Sequence, residues 1–240
     1  MTITMMRDFG ARVEWNGENV IEVQPGAYQQ KAYHIESDWS AASYWYEMVA
    51  LSRDVNAEVE LVGLHRDSIQ GDSRVWQLFN ELGVETQYYV ESDGTEITKL
   101  RKGGCITSHF NCDFTHQPDL AQTFAVTCSM LDVPFHFYGL QSLRIKETDR
   151  IAALRTELLK LGIVVHVEGD NTIWWDGERC EPKTAPTIDT YEDHRMAMAF
   201  APVCLCAGQV QINNPQVVSK SYPSYWKDLR KVGLYVRVED

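Results

Sequence analysis

Three segments of this sequence carry cations that could hold an anionic ligand. The first is LRIKETDRIAAL, which places Arg144, Lys146 and Arg150 within seven residues. The second contains Arg195, in TYEDHRMAMAF, and the third contains Lys220, in VVSKSYPSYW. Arginine and lysine bind phosphate and carboxylate groups, and the free N–H groups of a helix start add to such a site. The residues therefore predict an anion pocket if the fold brings the three segments together.

Two carboxylates occur next to predicted helix starts. Asp119, in THQPDLAQTF, is either a helix N-cap or a carboxylate that points into a basic cleft and accepts a proton from a bound hydroxyl. Asp193 is the expected N-cap partner of Arg195. The first basic segment also has a simpler interpretation, a solvated helix start with charge pairs such as Glu147 with Arg150.

Composition limits the class of protein. The chain has 240 residues, a formal net charge of −12 and 44% apolar residues, so it can bury a full core. The acidic balance argues against a nucleic-acid partner, which calls for a surplus of lysine and arginine. The longest uncharged apolar run, 196–208, is too short to cross a bilayer, which takes ~20 residues. The first ten residues lack a signal peptide's apolar core, and we expect a cytoplasmic protein.

Cysteine spacing gives no sign of a metal or disulfide framework. The six cysteines lack a Cys-x-x-Cys pair, so we expect reduced, structural thiols. His109, Asp113 and His116 come nearest to a set of metal ligands, but they lack the helical spacing of zinc sites. We expect neither a metal nor an organic cofactor.

The sequence repeats with a period of about 75 residues. Strand-like segments end at Gly63, Gly139 and Asn214, which are 76 and 75 residues apart, and each leads through a loop to an amphipathic helix and a new strand. The glycines expected to cap those helices in the left-handed conformation are Gly83, Gly162 and Gly233.

Each repeat also contains a helix that is apolar on almost every side. These helices, predicted at 42–51, 120–131 and 194–207, should be buried inside a shell of amphipathic helices and sheets. Pro202 should interrupt the third because it removes one backbone hydrogen bond. The pattern predicts one α/β globe of three similar units.

The first residues match the second half of a repeat. TITMMRDFG has the amphipathic-helix pattern, and its Gly10 precedes Gly83 by 73 residues. We therefore expect an upstream portion of the protein to be missing from this chain.

Five segments together resemble one known family. In chain order they are SDWSAASYWYE, THQPDLAQTFA, LRIKETDRIAAL, TYEDHRMAMAFA and SKSYPSYW. They resemble the C-terminal half of the EPSP synthases (3-phosphoshikimate 1-carboxyvinyltransferases), over essentially all 240 residues. The related UDP-N-acetylglucosamine enolpyruvyl transferases share the repeat fold but lack the DHRMAMAF and KETDR segments.

The resemblance implies an inside-out α/β fold, the enolpyruvyl transferase fold, in which each of two globes contains three βαβαββ units. Residues 1–36 would be the remnant of the last N-terminal unit, 37–240 the C-terminal globe, and Glu36 to Ser40 the hinge. The implied activity is transfer of the enolpyruvyl group from phosphoenolpyruvate to the 5-hydroxyl of shikimate 3-phosphate, with release of phosphate. The missing N-terminal half of the enzyme would be the partner.

The resemblance also assigns roles residue by residue. Asp119 resembles the base at the shikimate 5-hydroxyl, Glu147 a second acid–base group, and Lys220 a phosphoenolpyruvate contact and possible proton donor. The residues that resemble further substrate contacts are Ser142, Lys146, Arg150, His194 and Arg195.

Some features depart from the family pattern. The family's upstream half supplies further lysine, arginine and serine contacts, so we expect this chain to be inactive alone. Ser142 replaces a longer polar residue. Two alternatives stay open: a non-catalytic anion-binding module or orphan half, and an enolpyruvyl transferase for another acceptor.

Overall fold

The computed structural model describes residues 1–237. The chain begins with α1 (Thr2–Asp8), which confirms the helix predicted there, and continues into an antiparallel hairpin of β1 (Val13–Trp15) and β2 (Ile21–Val23). Arg7 ties the helix to the hairpin, because its Nε donates to the Val13 carbonyl oxygen at 2.7 Å. The hairpin leaves large apolar side chains exposed, among them Trp15, Ile21 and Val23.

The first repeat opens with α2 (Trp39–Leu51), whose N-terminus is capped by Asp38, with its carboxylate accepting the Ser40 N–H at 2.8 Å. The remaining elements, with a 3₁₀ turn at Gly71–Arg74, are β3 (Glu58–Val62), α3 (Val75–Asn80), β4 (Leu82–Val90) and β5 (Glu96–Ile106). The three strands form an antiparallel sheet in the order β3-β5-β4.

The second repeat contains four strands and two helices. They are β6 (Phe110–Asp113), α4 (Ala121–Met130), β7 (Phe135–Tyr138), α5 (Arg150–Lys160), β8 (His166–Glu168) and β9 (Thr172–Trp175). The strands form one sheet in the order β6-β7-β9-β8, in which only β6 and β7 run parallel. Two 3₁₀ turns, Pro118–Leu120 and Gln141–Ile145, precede the two helices.

The third repeat has short strands, and the two of them pair in parallel. The elements are β10 (Thr187–Ile188), α6 (His194–Phe200), α7 (Cys204–Ala207), β11 (Gln211–Ile212) and α8 (Tyr225–Lys231). Pro202 breaks the central helix as predicted, since a 3₁₀ turn at Ala201–Val203 separates α6 from α7. A second 3₁₀ segment spans Pro215–Lys220.

The three apolar helices meet at the centre of the molecule, as the sequence predicts. Nine of the ten α4 residues are buried, and α4 packs against both α2 and α6. Phe124 of α4 lies 4.4 Å from Phe79 and 5.4 Å from Phe110, measured between ring centroids, so α3 and β6 close over the same core. The surrounding sheets thereby hold the starts of all three helices in fixed positions.

The corners that repeat in the sequence also repeat in the backbone. All seven adopt a positive φ: Gly10, Gly63, Gly83, Gly139, Gly162, Asn214 and Gly233. Gly139 shows why, since a Cβ there would lie 2.5 Å from Asp113 Oδ1 and 2.6 Å from the Thr115 nitrogen. The tight corner lets β7 end against the loop that leads to α4.

One predicted strand is not formed. Residues 234–237, expected to begin a strand after α8, have no strand assignment, and position 238 lies outside the described residues. The Val236 carbonyl oxygen accepts hydrogen bonds from the Arg230 guanidinium instead of a neighbouring strand. Across residues 1–237, no helix combines the length and the apolar character needed to cross a membrane.

Candidate functional site

Two helix starts, from the second and third repeats, carry the predicted arginines. Asp149 caps α5, and its carboxylate accepts the Ala152 N–H at 3.0 Å. Asp193 caps α6 by accepting the Arg195 N–H at 2.9 Å, which confirms the predicted N-cap. Arg150 is the first residue of its helix, so its side chain extends from the capped end toward the neighbouring repeat.

Arg150 is buried and touches three carboxylates at once. Its Nε lies 2.6 Å from Asp193 Oδ2, its Nη1 2.7 Å from Asp119 Oδ1, and its Nη2 2.6 Å from Glu147 Oε2. The predicted Glu147–Arg150 pair is therefore present, but it belongs to a network around the buried Arg150 guanidinium and is not an isolated pair on a solvated helix start. A buried charge with this many partners fixes the relative positions of the segments that supply them.

Asp119 collects the other cations. Its Oδ2 accepts from Arg195 Nη2 at 2.9 Å, and Lys146 Nζ lies 3.5 Å from its Oδ1. The N-cap interpretation of Asp119 is wrong: the residue lies in a 3₁₀ turn, and α4 begins at Ala121 without a side-chain cap. Facing cations on two other segments, the carboxylate turns toward them and away from the helix N–H groups.

We refer to six residues as the charged cluster: Asp119, Lys146, Glu147, Arg150, Asp193 and Arg195. Burial opposes ionisation of Asp119, but the charges of Arg195, Arg150 and Lys146 outweigh it and hold the pKa of this carboxyl below its usual value. Burial likewise opposes ionisation of Glu147, and a backbone hydrogen bond and Arg150 prevail, so its pKa is also lowered. Both carboxylates are charged at neutral pH.

Two residues near Arg195 were not predicted from the sequence. Tyr44 of α2 is buried, and Arg195 Nη1 lies 3.5 Å from its hydroxyl oxygen. Asp72, on the loop of the first repeat, accepts a hydrogen bond from Ser40 and is close enough for the Arg195 charge to act on its pKa. Burial dominates there and raises the pKa of Asp72. Its loop, HRDSIQGD, carries two acids beside one arginine, so the sequence does not mark it as part of a basic site.

Two further predicted residues adjoin the charged cluster: His194 lies between Asp193 and Arg195 in the sequence, and Lys220 contacts the residue before Asp193. His194 is buried, and its Nδ1 lies 3.8 Å from Asp193 Oδ1 without a hydrogen-bond partner in the described structure. Burial, followed by the Arg195 charge, lowers the pKa of His194, so the imidazole is neutral at pH 7. Lys220 Nζ donates to the Glu192 carbonyl oxygen at 3.1 Å, on the loop that precedes Asp193.

Three other residues, Ser142, Arg144 and Arg66, lie apart from these contacts. Ser142 is half-buried in the 3₁₀ turn before α5. Arg144 bonds to Asp149 at 3.0 Å and to carbonyl oxygens of the β8–β9 turn, and Arg66 lies over the Tyr88 ring. The structure thus gathers cations of the LRIKETDRIAAL segment with Arg195, whereas the first repeat contributes an acid, Asp72.

The possible metal ligands do not come together. His109 Nε2 lies 3.0 Å from Asn111 Oδ1, and the Asp113 carboxylate accepts the Thr115 N–H at 2.9 Å. Among the described residues, the group with ligand atoms in mutual reach is a different one: His166, Asp176 and Glu178.

Comparison with known proteins gives a consistent result. The family model for EPSP synthase (3-phosphoshikimate 1-carboxyvinyltransferase) matches residues 1–229. A 3-phosphoshikimate 1-carboxyvinyltransferase from Bacteroides fragilis is 53% identical over 239 residues, covering 99% of this chain and 56% of its own length. One from Methanosphaerula palustris is 33% identical, with 98% of this chain and 52% of the relative covered. The chain thus spans about half the length of the curated relatives it matches.

A solved structure shows the same fold. EPSP synthase from Acinetobacter baumannii superposes with a TM-score of 0.75 at 20% identity, over 100% of this chain and 55% of that protein. The predicted fold class, a mixed α/β structure of the enolpyruvyl transferase type, is confirmed by this match.

Proposed function

This chain belongs to the EPSP synthase family, and on that premise we propose that it forms one side of the active site of an enolpyruvyl transferase. The complete protein would transfer the enolpyruvyl group of phosphoenolpyruvate to the 5-hydroxyl of shikimate 3-phosphate and release phosphate. The observation that carries the proposal is the placement of Asp119 among Lys146, Arg150 and Arg195. A cytoplasmic location, expected from the sequence, stays a prediction.

The reaction needs the groups that the charged cluster provides. The 5-hydroxyl oxygen bonds to C2 of phosphoenolpyruvate while C3 gains a proton, and the tetrahedral intermediate then loses that C3 proton and expels phosphate. Asp119 accepts the hydroxyl proton, Lys220 supplies the proton that C3 gains, and the ionised Glu147 carboxylate accepts the proton that C3 then loses. Arg150, Arg195 and Lys220 hold the phosphate and carboxylate of phosphoenolpyruvate, and Lys146 contacts the shikimate substrate.

Ligand binding would strengthen Asp119 as a base. In the unliganded chain the cations hold the pKa of this carboxyl below its usual value. An incoming phosphate or carboxylate shares those same cations, so their effect on Asp119 weakens and its pKa rises. Substrate binding and the readiness to accept a proton are then coupled through Arg195, which contacts Asp119 at 2.9 Å. His194 and Ser142 complete the proposed contact set.

The division into two globes is part of the proposal. Residues 1–36 would belong to the preceding globe and 37–240 to this one. Exposed apolar side chains in the first part, such as Trp15 and Ile35, support a surface that further chain covers. The missing half would complete the substrate contacts, so the chain alone should not turn over.

Phosphate release tests the proposal. The part of the Bacteroides fragilis relative that this chain does not cover is fused to the chain in the relative's own order, giving what we call the joined protein. Phosphate is then measured after adding phosphoenolpyruvate and shikimate 3-phosphate, for the chain alone and for the joined protein. Release from the joined protein only would support a shared active site.

Two variants of the joined protein test the site. Arg195→Ala should reduce turnover at least a hundredfold, because it removes an Asp119 partner and a proposed substrate contact. Arg144→Ala, in the 3₁₀ turn before α5 and bonded to Asp149 and the β8–β9 turn, is the matched control and should retain activity. Unchanged turnover in Arg195→Ala would refute the site assignment. Phosphoenolpyruvate binding without phosphate release, from folded protein, would favour the anion-binding module.

A further inference from the structure

Tyr191 and Glu192 form an unusual stretch of backbone directly before the charged cluster. Their φ angles are 53° and 58°, and within residues 1–237 they are the only adjacent pair of non-glycine residues with positive φ. L-residues with side chains rarely adopt this conformation, and it persists only where surrounding contacts enforce it. The next residue is Asp193, which caps α6 and binds Arg150.

Glu157 supplies contacts that enforce this conformation. It is fully buried on α5, and its Oε1 accepts the Tyr191 hydroxyl at 2.6 Å. Its Oε2 accepts the Asp189 N–H at 3.0 Å and lies 2.7 Å from Lys160 Nζ. The Glu157 carboxylate therefore binds Asp189, two residues before the left-handed pair, and Tyr191, the first residue of the pair. Lys160 balances its charge.

The same network reaches the loop that carries Lys220. The Asp189 carboxylate accepts from Lys160 Nζ at 2.8 Å and from Asn213 Nδ2 at 2.6 Å. Asn213 lies at the start of that loop, and the Glu192 carbonyl oxygen accepts from Lys220 Nζ at its end. Both ends of the 213–220 loop are thus fixed to the 189–192 segment, which Glu157 holds.

We propose that Glu157 is a positioning residue: it maintains the left-handed Tyr191–Glu192 pair, so that the Glu192 carbonyl seats the ammonium group of Lys220. The inference rests on the proposed function, which gives Lys220 its role toward phosphoenolpyruvate. Helix α5 would then serve the site twice, directly through Arg150 at its first turn and indirectly through Glu157 two turns later. Glu157 itself touches no substrate.

Where backbone strain supports a binding site, a substitution that relieves the strain should raise the stability of the fold and weaken binding. Glu192→Gly should raise the urea midpoint of the 240-residue chain, because glycine adopts a positive φ at no steric cost. In the joined protein the same variant should weaken phosphoenolpyruvate binding at least fivefold, measured by calorimetric titration. The reason is that the Glu192 carbonyl oxygen would no longer fix the position of the Lys220 ammonium group. A lowered midpoint, or unchanged binding, would overturn the inference.

Glu157→Gln tests the positioning residue itself. It should weaken phosphoenolpyruvate binding at least fivefold, since an amide nitrogen replaces one acceptor oxygen. Leu158→Ala is the matched control, because Leu158 is buried at the next position, so its truncation destabilises the core and removes none of the Glu157 hydrogen bonds. Leu158→Ala should lower the urea midpoint and leave the dissociation constant unchanged. Equal weakening in both variants would reduce Glu157 to a structural role and refute the proposal.

A double-mutant cycle identifies the path of the effect. If Glu157 acts through Lys220, Glu157→Gln should have no further effect on binding in a Lys220→Met background. Additive losses would contradict this. Failure of the proposed function has a separate signature: the wild-type joined protein would not bind phosphoenolpyruvate at all, and the inference about the site would fall with it. Wild-type binding that Glu157→Gln leaves intact would overturn only the inference.

Discussion

Arg150 and Asp119 are joined by an ion pair of 2.7 Å between Nη1 and Oδ1, although 31 residues separate them in the chain. The pair connects the first residue of α5 to the turn that precedes α4. Because Arg150 also binds Asp193, three segments from two repeats meet at one guanidinium. The site geometry depends on this contact.

Replacing Arg150 by methionine should lower the free energy of unfolding by about 3–5 kcal/mol, since Asp193 is fully buried and would lose its closest cation. Urea unfolding measures the loss. Arg144→Met is the matched control on the same segment, where the ion pair with Asp149 is partly exposed and should be worth about 0–1 kcal/mol. Similar losses in the two variants would show that the buried network does not stabilise the fold.

Asp119→Asn should change the response to acid. The pKa of Asp119 is lower in the folded chain than in the unfolded chain, where it is about 3.9. Its ionised form therefore stabilises the fold above about pH 4, and this contribution is lost as pH falls through the folded pKa. Between pH 6 and pH 2.5, the free energy of unfolding should fall less in the variant than in wild type. Asp8→Asn, on the exposed surface of α1, should leave the wild-type profile unchanged.

Glu47 should make the fold less stable as pH rises. It is fully buried on α2, and neither carboxylate oxygen has a hydrogen-bond partner within the described chain; the nearby Thr127 hydroxyl donates to the Thr123 carbonyl oxygen. Burial raises the pKa of Glu47 well above its usual value. The group stays protonated when folded and ionises on unfolding, so its stabilising contribution is present below about pH 4.3 and is lost as pH rises.

Glu47→Gln removes this titration. Relative to wild type, the variant should gain stability between pH 5 and pH 8, measured by urea unfolding at each pH. Glu14→Gln, at an exposed position of strand β1, is the control and should follow the wild type. A constant difference between Glu47→Gln and wild type over this range would show that Glu47 is ionised in the folded chain.

Gly139→Ala should destabilise the fold far more than Gly177→Ala. Both glycines have positive φ, 78° and 101°, so both variants incur the left-handed penalty of roughly 1–2 kcal/mol. At Gly139 a Cβ also collides with Asp113 and Thr115, whereas at Gly177 it meets no atom within 4 Å. Thermal melting of both variants measures the difference. Equal melting temperatures would mean that the β7 corner relaxes without cost.

The repeat and its buried helices could be predicted because their signals are local. Helices without a polar face, such as α4, have to be buried, and glycine at the corners marks a backbone conformation that other residues avoid. The segments that resemble the family contain Asp119, Lys146, Glu147, Arg150 and Arg195, which the structure brings together in the charged cluster. The capping role of Asp193 followed from its position before Arg195.

Contacts between segments distant in sequence could not be predicted in this way. Asp119 has the sequence position of an N-cap, and the locations of Arg150 and Arg195, which are distant in sequence, explain why it turns away. Arg66 follows the first strand of its repeat as Arg144 and Lys146 follow β7, but its guanidinium lies over the ring of Tyr88 on β4. The left-handed pair at Tyr191 and Glu192 carries no glycine or asparagine to reveal it.

The balance of charge in the cluster has a kinetic consequence. Three cations face three carboxylates, so the cluster is neutral as a whole, while the chain carries a formal net charge of −12. A polyanion approaching this chain is repelled at long range and meets attraction only on contact, where it displaces internal ion pairs. Added salt screens that repulsion, so the association rate constant should rise with ionic strength, opposite to the behaviour of a cleft that draws in its ligand electrostatically.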